Sequence, residues 1–366
     1  MVLRRKWSWN LISRNTPILD VYKYPDETWD RKGLSMNKGI TIDMIHNLSL
    51  PHTTGDWDWF CISENISISE VYKYPDETWD RYGLSQNKGI SIDLIHDLSL
   101  PHATGRWSWF WISKNTSMLE LYKYPDETWD NQGLSLNKNL SIYILYDNNL
   151  ESHICWRSLS YTIPITDIYR RSYEPWDKYA LSQNESLSVD HIHNLVLPNA
   201  TGDWHWYHIS EYIGISEVYK YPYETWDKEG LSRNKDITID LIHNLSLPNA
   251  TGSWNWYSIS KNIDISEVYK YPDETWNRSG LSWNKDITID LIYNTTLSRA
   301  IRDWDWYYVS RNIPVTNIYR YQDETWDRDK LSYNKNLTID DIYRLDHRPR
   351  CDYRLYMTSF SDIVIV

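Results

Sequence analysis

Hydrophobic and polar positions along the chain follow one short pattern that returns many times. In residues 57–78, large apolar side chains stand at Trp59, Ile62 and Ile66, three and four residues apart. That spacing places side chains on one face of a helix. A second apolar group follows and ends at Pro75, and proline cannot continue a helix. The pattern therefore predicts two short helices in this stretch.

The pattern occurs fourteen times, and an apolar residue followed by serine, in most copies continued as Ser-x-Asn, marks each copy. Steps between these marker serines alternate between 22 and 28 residues, so the full period is 50, and one step is shortened to 25. We call each copy a half-unit and each pair of copies a repeat. The marker serines are Ser13, Ser35, Ser63, Ser85, Ser113, Ser135, Ser160, Ser182, Ser210, Ser232, Ser260, Ser282, Ser310 and Ser332. Such fixed self-similarity is the signature of a repeat architecture.

We therefore predict an all-α repeat solenoid of about 28 short helices, two in each half-unit. The repeats would span residues 7–345, with an irregular repeat near 148–160. Residues 1–6 would form an N-terminal extension and residues 346–366 a divergent C-terminal cap or tail. The alternative is an all-β repeat array or a seven-bladed propeller, since seven units of about fifty residues also suit blades. The chain has only 12 glycines, which argues against many tight hairpins.

Tryptophan stands six residues before the marker serine in every half-unit except one, where Ile154 replaces it. A buried Trp removes roughly 150–250 Å² from water. Because the same residue returns at the same place, we expect it to pack one half-unit against the next. The predicted core tryptophans are Trp29, Trp57, Trp79, Trp107, Trp129, Trp176, Trp204, Trp226, Trp254, Trp276, Trp304 and Trp326.

Charge and cysteine content narrow the classes of function. The formal net charge is −12, which argues against nucleic acid as a partner, because phosphate binding needs a surplus of Lys and Arg. Cys61, Cys155 and Cys351 occupy unrelated places in the repeat, so they suggest neither a disulfide framework nor a zinc site. The chain has no apolar run of the ~20 residues that a membrane span needs. Its N-terminus also lacks the apolar region of a secretory signal, so we expect no secretion.

Recurrent carboxylates and histidines are expected to be structural. Pairs such as Asp76 and Glu77 return in most repeats, and we predict that they cap helix N-termini and favour the helix dipole. Histidine also returns at one place, so its copies would lie one repeat apart, too far to share a metal ion. These histidines are His46, His96, His193 and His243. We expect no enzyme activity, no cofactor and no metal.

A Tyr-Lys-Tyr segment is the strongest candidate for recognition. Tyrosine is favoured at interfaces because it offers a large rigid surface with a polar tip. The candidate stripe comprises Tyr72, Tyr74, Tyr122, Tyr124, Tyr219, Tyr221, Tyr269 and Tyr271. The alternative is that these rings pack one repeat against the next, and the sequence leaves both interpretations open.

The repeat resembles a family of tandem-repeat proteins encoded by giant DNA viruses. The segment Pro75-Asp-Glu-Thr-Trp-Asp80 is similar to that family's Pro-Asp-x-x-Trp-Asp element, and Trp57-Asp-Trp59 with Ile62-Ser63 is similar to its other core. The family's Asn-Pro-Asn element is missing, and this chain alternates short and long half-units. The resemblance covers about residues 7–345 and implies a viral origin and a repeat scaffold, with no established activity.

The sequence thus predicts a non-enzymatic repeat scaffold for protein–protein interaction, with host or viral proteins or further copies of the chain as partners. One alternative is a structural or assembly protein of the virion. Another is a carbohydrate-binding or hydrolytic repeat protein. The expected location is the host cytoplasm or the virion.

Overall fold

The computed structural model describes residues 7–47, 50–97, 99–139, 142–147, 154–244, 246–294, 296–321 and 326–346. Within these residues the chain forms twenty-eight helices. β-structure in the same residues is limited to isolated parallel bridges. The predicted all-α repeat solenoid is confirmed, and the all-β alternative is wrong.

Each half-unit contributes two helices. In the first half-units the first helices are α1 (Trp9–Asn15), α5 (Trp59–Asn65), α9 (Trp109–Asn115), α13 (Trp156–Thr162), α17 (Trp206–Tyr212), α21 (Trp256–Asn262) and α25 (Trp306–Asn312). Their second helices are α2 (Ile18–Lys23), α6 (Ile68–Lys73), α10 (Met118–Lys123), α14 (Ile165–Arg170), α18 (Ile215–Lys220), α22 (Ile265–Lys270) and α26 (Val315–Arg320). In the second half-units the first helices are α3 (Arg31–Ser35), α7 (Arg81–Gln86), α11 (Asn131–Ser135), α15 (Lys178–Leu181), α19 (Lys228–Arg233), α23 (Arg278–Trp283) and α27 (Arg328–Leu331). Their second helices are α4 (Ile42–Asn47), α8 (Ile92–Asp97), α12 (Ile142–Asp147), α16 (Val189–Asn194), α20 (Ile239–Asn244), α24 (Ile289–Ile292) and α28 (Ile339–Asp346).

The aspartate directly after the core tryptophan begins the first helix of each second half-unit. The Asp80 carboxylate accepts a hydrogen bond from the Gly83 N–H at 2.7 Å, and this contact is the usual N-cap interaction. Asp or Asn makes the same contact in all seven repeats. The prediction that Asp76 and Glu77 cap this helix is therefore wrong, since they lie in the turn before Trp79.

Glycine allows the two first helices of one repeat to touch. A Cβ on Gly83 would lie 2.5 Å from the backbone oxygen of Phe60, so no larger residue fits without a shift. Repeats 4 and 7 have Ala180 and Lys330 at this place, and their helices α15 and α27 have only 4 residues. The close contact between α5 and α7 therefore depends on the absent side chain.

The predicted core tryptophans divide into two classes. In the first six repeats, the tryptophan at the start of the second half-unit is buried, with a relative accessibility of 0–5%. These buried rings are Trp29, Trp79, Trp129, Trp176, Trp226 and Trp276. The tryptophans at the start of first half-units are half-buried, and Trp326 of repeat 7 is half-buried as well. Each first half-unit has another tryptophan at the start of its first helix. This ring meets the tryptophan of the second half-unit edge to face, as Trp59 does with Trp79, with ring centroids 5.5 Å apart.

The marker serines join consecutive half-units. Each serine Oγ accepts a hydrogen bond from a backbone N–H at the start of the following half-unit, at 2.8–3.2 Å. Ser63 accepts from Asp80 within repeat 2, and Ser85 accepts from Ser108 of repeat 3. Their recurrence thus reflects a structural role, as expected for repeated serines that bond to backbone groups.

The last of these bonds closes the array into a ring. Ser332 of the final half-unit accepts from the N–H of Ser8 in the first half-unit at 3.0 Å, as every other marker serine does with its successor. Ile339 and Ile342 join the same buried cluster as Ile12 and Val21. Repeat 7 therefore packs on repeat 1 as any repeat packs on the next.

In repeats 1, 2, 4, 5 and 6 the long connection after the second half-unit folds back over the tryptophan of that half-unit. Thr104 N–H donates to the Trp79 carbonyl at 2.8 Å, and Arg81 N–H donates to the Thr104 carbonyl at 2.9 Å. Gly105 follows with φ of 72°, a left-handed conformation that glycine adopts without strain. Residues 148–153 of the shortened repeat lie outside the described residues, as do the expected extension at 1–6 and the tail from 347 onward.

Candidate interaction surfaces

Consecutive repeats are held together by a set of polar contacts at the second helices, which we call the between-repeat joint. The Tyr74 hydroxyl and the Lys73 ammonium both donate to the carboxylate of Asp43 in the preceding repeat. Glu70 of the same helix accepts from the Ile42 N–H at 3.1 Å and so satisfies the N-terminus of α4. The ring-closing joint repeats this arrangement, with Tyr24 donating to Asp340 at 2.6 Å.

Charges at this joint shift the pKa values of their partners. The pKa of Asp43 is below its ordinary value because the Tyr74 hydroxyl and the Lys73 ammonium stabilise the carboxylate. Asp93, Asp190, Asp240 and Asp340 show the same direction for the same contacts. The between-repeat joint is therefore most stable when these carboxylates are ionised.

The recurrent histidines belong to the same joint. His46 lies 2.8 Å from the carboxylate of Glu77 in the next repeat and meets the Tyr74 ring edge to face. His96, His193 and His243 form the same pair with Glu127, Glu224 and Glu274 at 2.9–3.0 Å. The expectation that these histidines are structural fits these contacts. In the Asp-Glu pairs, Glu77, Glu127 and Glu274 thus lie at the joints and not in the first turn of a helix.

The joint between repeats 3 and 4 replaces this chemistry. Tyr143 stands at the place of the aspartate and Arg171 at the place of the tyrosine. The Arg171 guanidinium lies 5.2 Å from the Tyr143 ring and 3.8 Å from the Tyr146 ring, which are cation–π distances. Tyr146 takes the histidine position and donates to Glu174 at 2.7 Å. Both sides of this joint have changed together, so the contact is kept.

The predicted tyrosine stripe divides into two rows. The second tyrosine of each Tyr-Lys-Tyr segment (Tyr74, Tyr124, Tyr221 and Tyr271) lies in the between-repeat joint. The first tyrosine is exposed, and its equivalents in repeats 1 and 4 are exposed as well. This exposed row is Tyr22, Tyr72, Tyr122, Tyr169, Tyr219 and Tyr269, and each residue has a relative accessibility of 44–49%. The sequence could not separate the rows because both tyrosines recur equally.

The first helices carry a second surface whose residues change from repeat to repeat. In repeat 1 it is formed by Asn10, Leu11, Arg14, Lys32 and Met36, and we call these five places in every repeat the variable positions. In repeat 7 they hold Tyr307, Tyr308, Arg311, Asp329 and Tyr333. A residue that builds the repeat recurs, so variation here means that the scaffold does not dictate these side chains.

Aromatic rings at the variable positions are most numerous in repeat 7, where they adjoin those of repeat 6. The Trp283 and Tyr308 rings stack with centroids 3.6 Å apart, and Tyr307 lies 4.6 Å from Tyr308. The Lys261 ammonium lies 5.0 Å from the Trp283 ring, and the Lys330 ammonium lies 4.2 Å from the Tyr307 ring. The sequence signal for this cluster is the departure of repeats 6 and 7 from the other copies.

Among the described residues, no group of three or more His, Cys, Asp or Glu side chains could hold a metal ion. Cys61 is buried, and burial raises the pKa of its thiol to about 11, so this thiol is protonated near neutral pH. Two open hollows lie beside half-buried tryptophans, one at Trp57 and Trp59 and one at Trp254 and Trp256.

Comparison with protein-family models, with curated proteins and with solved structures found no match for the chain. In the described part of the chain, every helix is too short or too polar to cross a bilayer.

Proposed function

We propose that this protein is a non-enzymatic scaffold of viral origin that binds protein partners through the exposed tyrosine row. The observation that supports this proposal is the contrast between the two tyrosines of the Tyr-Lys-Tyr segment. Tyr74 is held in a joint, but Tyr72 remains 47% exposed although its place recurs as regularly. A large aromatic side chain kept in solvent at the same place in six repeats suits an interface, where Tyr is enriched.

The test replaces the row and follows the partners of the whole protein. All six tyrosines (Tyr22, Tyr72, Tyr122, Tyr169, Tyr219 and Tyr269) are changed to Ser in a tagged chain expressed in host cells, and cross-linked partners are quantified by mass spectrometry. The matched control changes six exposed lysines, Lys38, Lys88, Lys138, Lys235, Lys285 and Lys335, to Ser. We expect the tyrosine variant to lose partners that the lysine variant keeps. Equal partner sets in the two variants would count against the proposal.

A structural role in the virion is the second candidate. Six equivalent tyrosines in a closed ring present the same surface several times, and this repetition suits a repetitive partner such as a capsid lattice or further rings. Quantitative mass spectrometry of purified particles tests this role. A high copy number per particle would favour it, and absence from particles would leave the scaffold within the host cell.

A further inference from the structure

The total charge of the chain hides an uneven distribution among the first helices. In repeats 6, 7 and 1, which are adjacent because the ring closes, these helices carry eight Lys or Arg residues and one acidic residue. In repeats 2 and 3 they carry two basic residues and one acidic residue. The formal charge of −12 therefore does not describe the surface of repeats 6, 7 and 1.

The residues that cap these helices sharpen the contrast. In repeat 6 both N-caps are neutral, Asn255 and Asn277, and repeat 1 begins with Ser8. When N-caps are included, the first helices of repeats 6, 7 and 1 keep a net charge of +4, whereas those of repeats 2 and 3 have −2. Counted in the same way, the first helices of repeats 4 and 5 together have no net charge. An anionic ligand would thus find the most favourable potential at repeats 6, 7 and 1.

The aromatic rings of this sector remain accessible. Tyr257 is 38% exposed and Tyr307 is 39% exposed, while Trp283, Tyr308 and Tyr333 are half-buried. The scaffold does not require these rings, because the places of Trp283 and Tyr308 hold Met36 and Leu11 in repeat 1. A row of rings with cations between them is the arrangement on which successive bases stack while Lys and Arg neutralise phosphates.

We propose that the first helices of repeats 6, 7 and 1 bind single-stranded nucleic acid. Trp283 and Tyr308, with Tyr257, Tyr307 and Tyr333 beside them, provide the stacking surface. Lys261 and Arg311 lie next to these rings, and Arg14 and Lys32 continue the basic surface across the ring closure. Lys330 also lies beside Tyr307, but its ammonium is 2.6 Å from the Asp329 carboxylate, so this charge is already paired. An acidic polypeptide would match the charge, but its carboxylates would have no use for five clustered rings. The nucleic-acid ligand matches both features.

The variants for the test copy residues that other repeats already carry at the same place, so the scaffold tolerates them. Trp283→Gln introduces the residue that repeat 2 has at this position, Gln86. Tyr308→Ser introduces the residue that repeat 6 has there, Ser258. Lys261→Glu introduces the residue that repeat 2 has at the equivalent position, Glu64. The matched control, Tyr82→Gln, removes an exposed ring from repeat 2, outside the basic sector. Circular dichroism and thermal unfolding verify that every variant folds.

Binding is measured by fluorescence anisotropy of a labelled oligothymidylate of about 20 nucleotides. We expect binding by the full chain that weakens strongly between low salt and about 0.2 M salt. Trp283→Gln combined with Tyr308→Ser should weaken it about tenfold or more, because each stacked base contributes about 1–3 kcal/mol. Lys261→Glu should weaken binding and reduce its salt dependence, whereas Tyr82→Gln should leave it unchanged.

Three results would overturn the proposal. The first is no binding of the oligonucleotide at low salt. The second is equal binding by the folded double variant, which would leave the rings without a role. The third is tighter binding of labelled polyglutamate than of the oligonucleotide, with only Lys261→Glu affecting it, which would assign the sector to an acidic polypeptide. The tyrosine row does not enter these measurements, so their failure leaves the proposed scaffold function untouched.

Discussion

Two kinds of joint alternate around the ring, one within a repeat and one between repeats. Both contain the same hydrogen bond to a marker serine, but its surroundings differ. Within a repeat, the joint contains a buried tryptophan and a buried asparagine: Asn87 Nδ2 donates to the carbonyls of Ser63 and Ile66 at 3.0 and 2.8 Å. Between repeats, the tryptophan is half-buried, and Asp43 meets Tyr74 and Lys73 at the surface. Buried apolar clusters cross both kinds of joint. The within-repeat joint adds a buried ring and a buried amide, whereas the between-repeat joint adds polar contacts that respond to pH and salt.

The largest expected difference between the joints concerns the two tryptophan classes. Trp79→Ala removes a side chain with no exposed surface and should lower the free energy of unfolding by about 3–5 kcal/mol. Trp57→Ala removes a half-buried ring and should cost about 1–2 kcal/mol. Urea unfolding of the two variants measures the difference. Equal losses would mean that the joints are equally strong.

The two classes of asparagine should also differ in their contribution to stability, by less than the tryptophans do. Asn87→Ala leaves two buried carbonyls and the Gly89 N–H without their partner, so we expect a loss of about 1–3 kcal/mol. Asn65, at the corresponding place in the first half-unit, is half-buried and donates to the Cys61 carbonyl of its own helix. Asn65→Ala should cost about 1 kcal/mol or less. The midpoint of thermal unfolding should rank the two variants in this order.

A third comparison isolates the cap of the within-repeat joint. Asp80→Ala removes the acceptor for the Gly83 N–H and should cost about 1 kcal/mol. Asp76→Ala changes an exposed turn residue and should stay within about 0.5 kcal/mol of the parent protein. Chemical unfolding distinguishes the two. A larger loss for Asp76→Ala would restore the original prediction of the cap.

Acid should weaken the between-repeat joint, and this is the smallest expected effect. The folded pKa of Asp43 lies below its ordinary value of 3.8, so its contribution is fully present above that pH. The contribution is lost as pH falls from 3.8 through the lower folded pKa. Asp43→Asn should make this acid destabilisation shallower, whereas Trp57→Ala should keep its slope. Unfolding curves recorded from neutral pH down to about pH 2 give the slopes.

Much of this architecture can be predicted from the sequence, because building residues recur. The helix pairs follow directly from apolar spacing. The sequence predicts the same burial for Trp79 and Trp57, but Trp79 is buried and Trp57 is half-buried, because recurrence alone does not separate the two classes. The cap was predicted four residues too early, since Asp76 and Asp80 both precede a helix and composition does not choose between them. The exposed Tyr72 and the joint residue Tyr74 could not be told apart either, because both recur with the same period.

Ring closure was beyond reach for a different reason. It depends on the rotation that each repeat adds, and no residue encodes that angle by itself. The basic aromatic sector also required the structure, because it becomes continuous only when repeat 1 lies beside repeat 7. The replacements at Tyr143 and Arg171 are visible in the sequence. That they compensate for each other can be inferred only once the structure shows the two residues in contact.

Closure also limits how such a chain can evolve. An open array can gain or lose a unit at either end, and each length remains a workable protein. Here the seven repeats together must turn through a full circle for Ser332 to meet Ser8. Duplicating or deleting a single unit would leave a gap or an overlap, so the number of units is locked while the side chains facing solvent stay free to diversify.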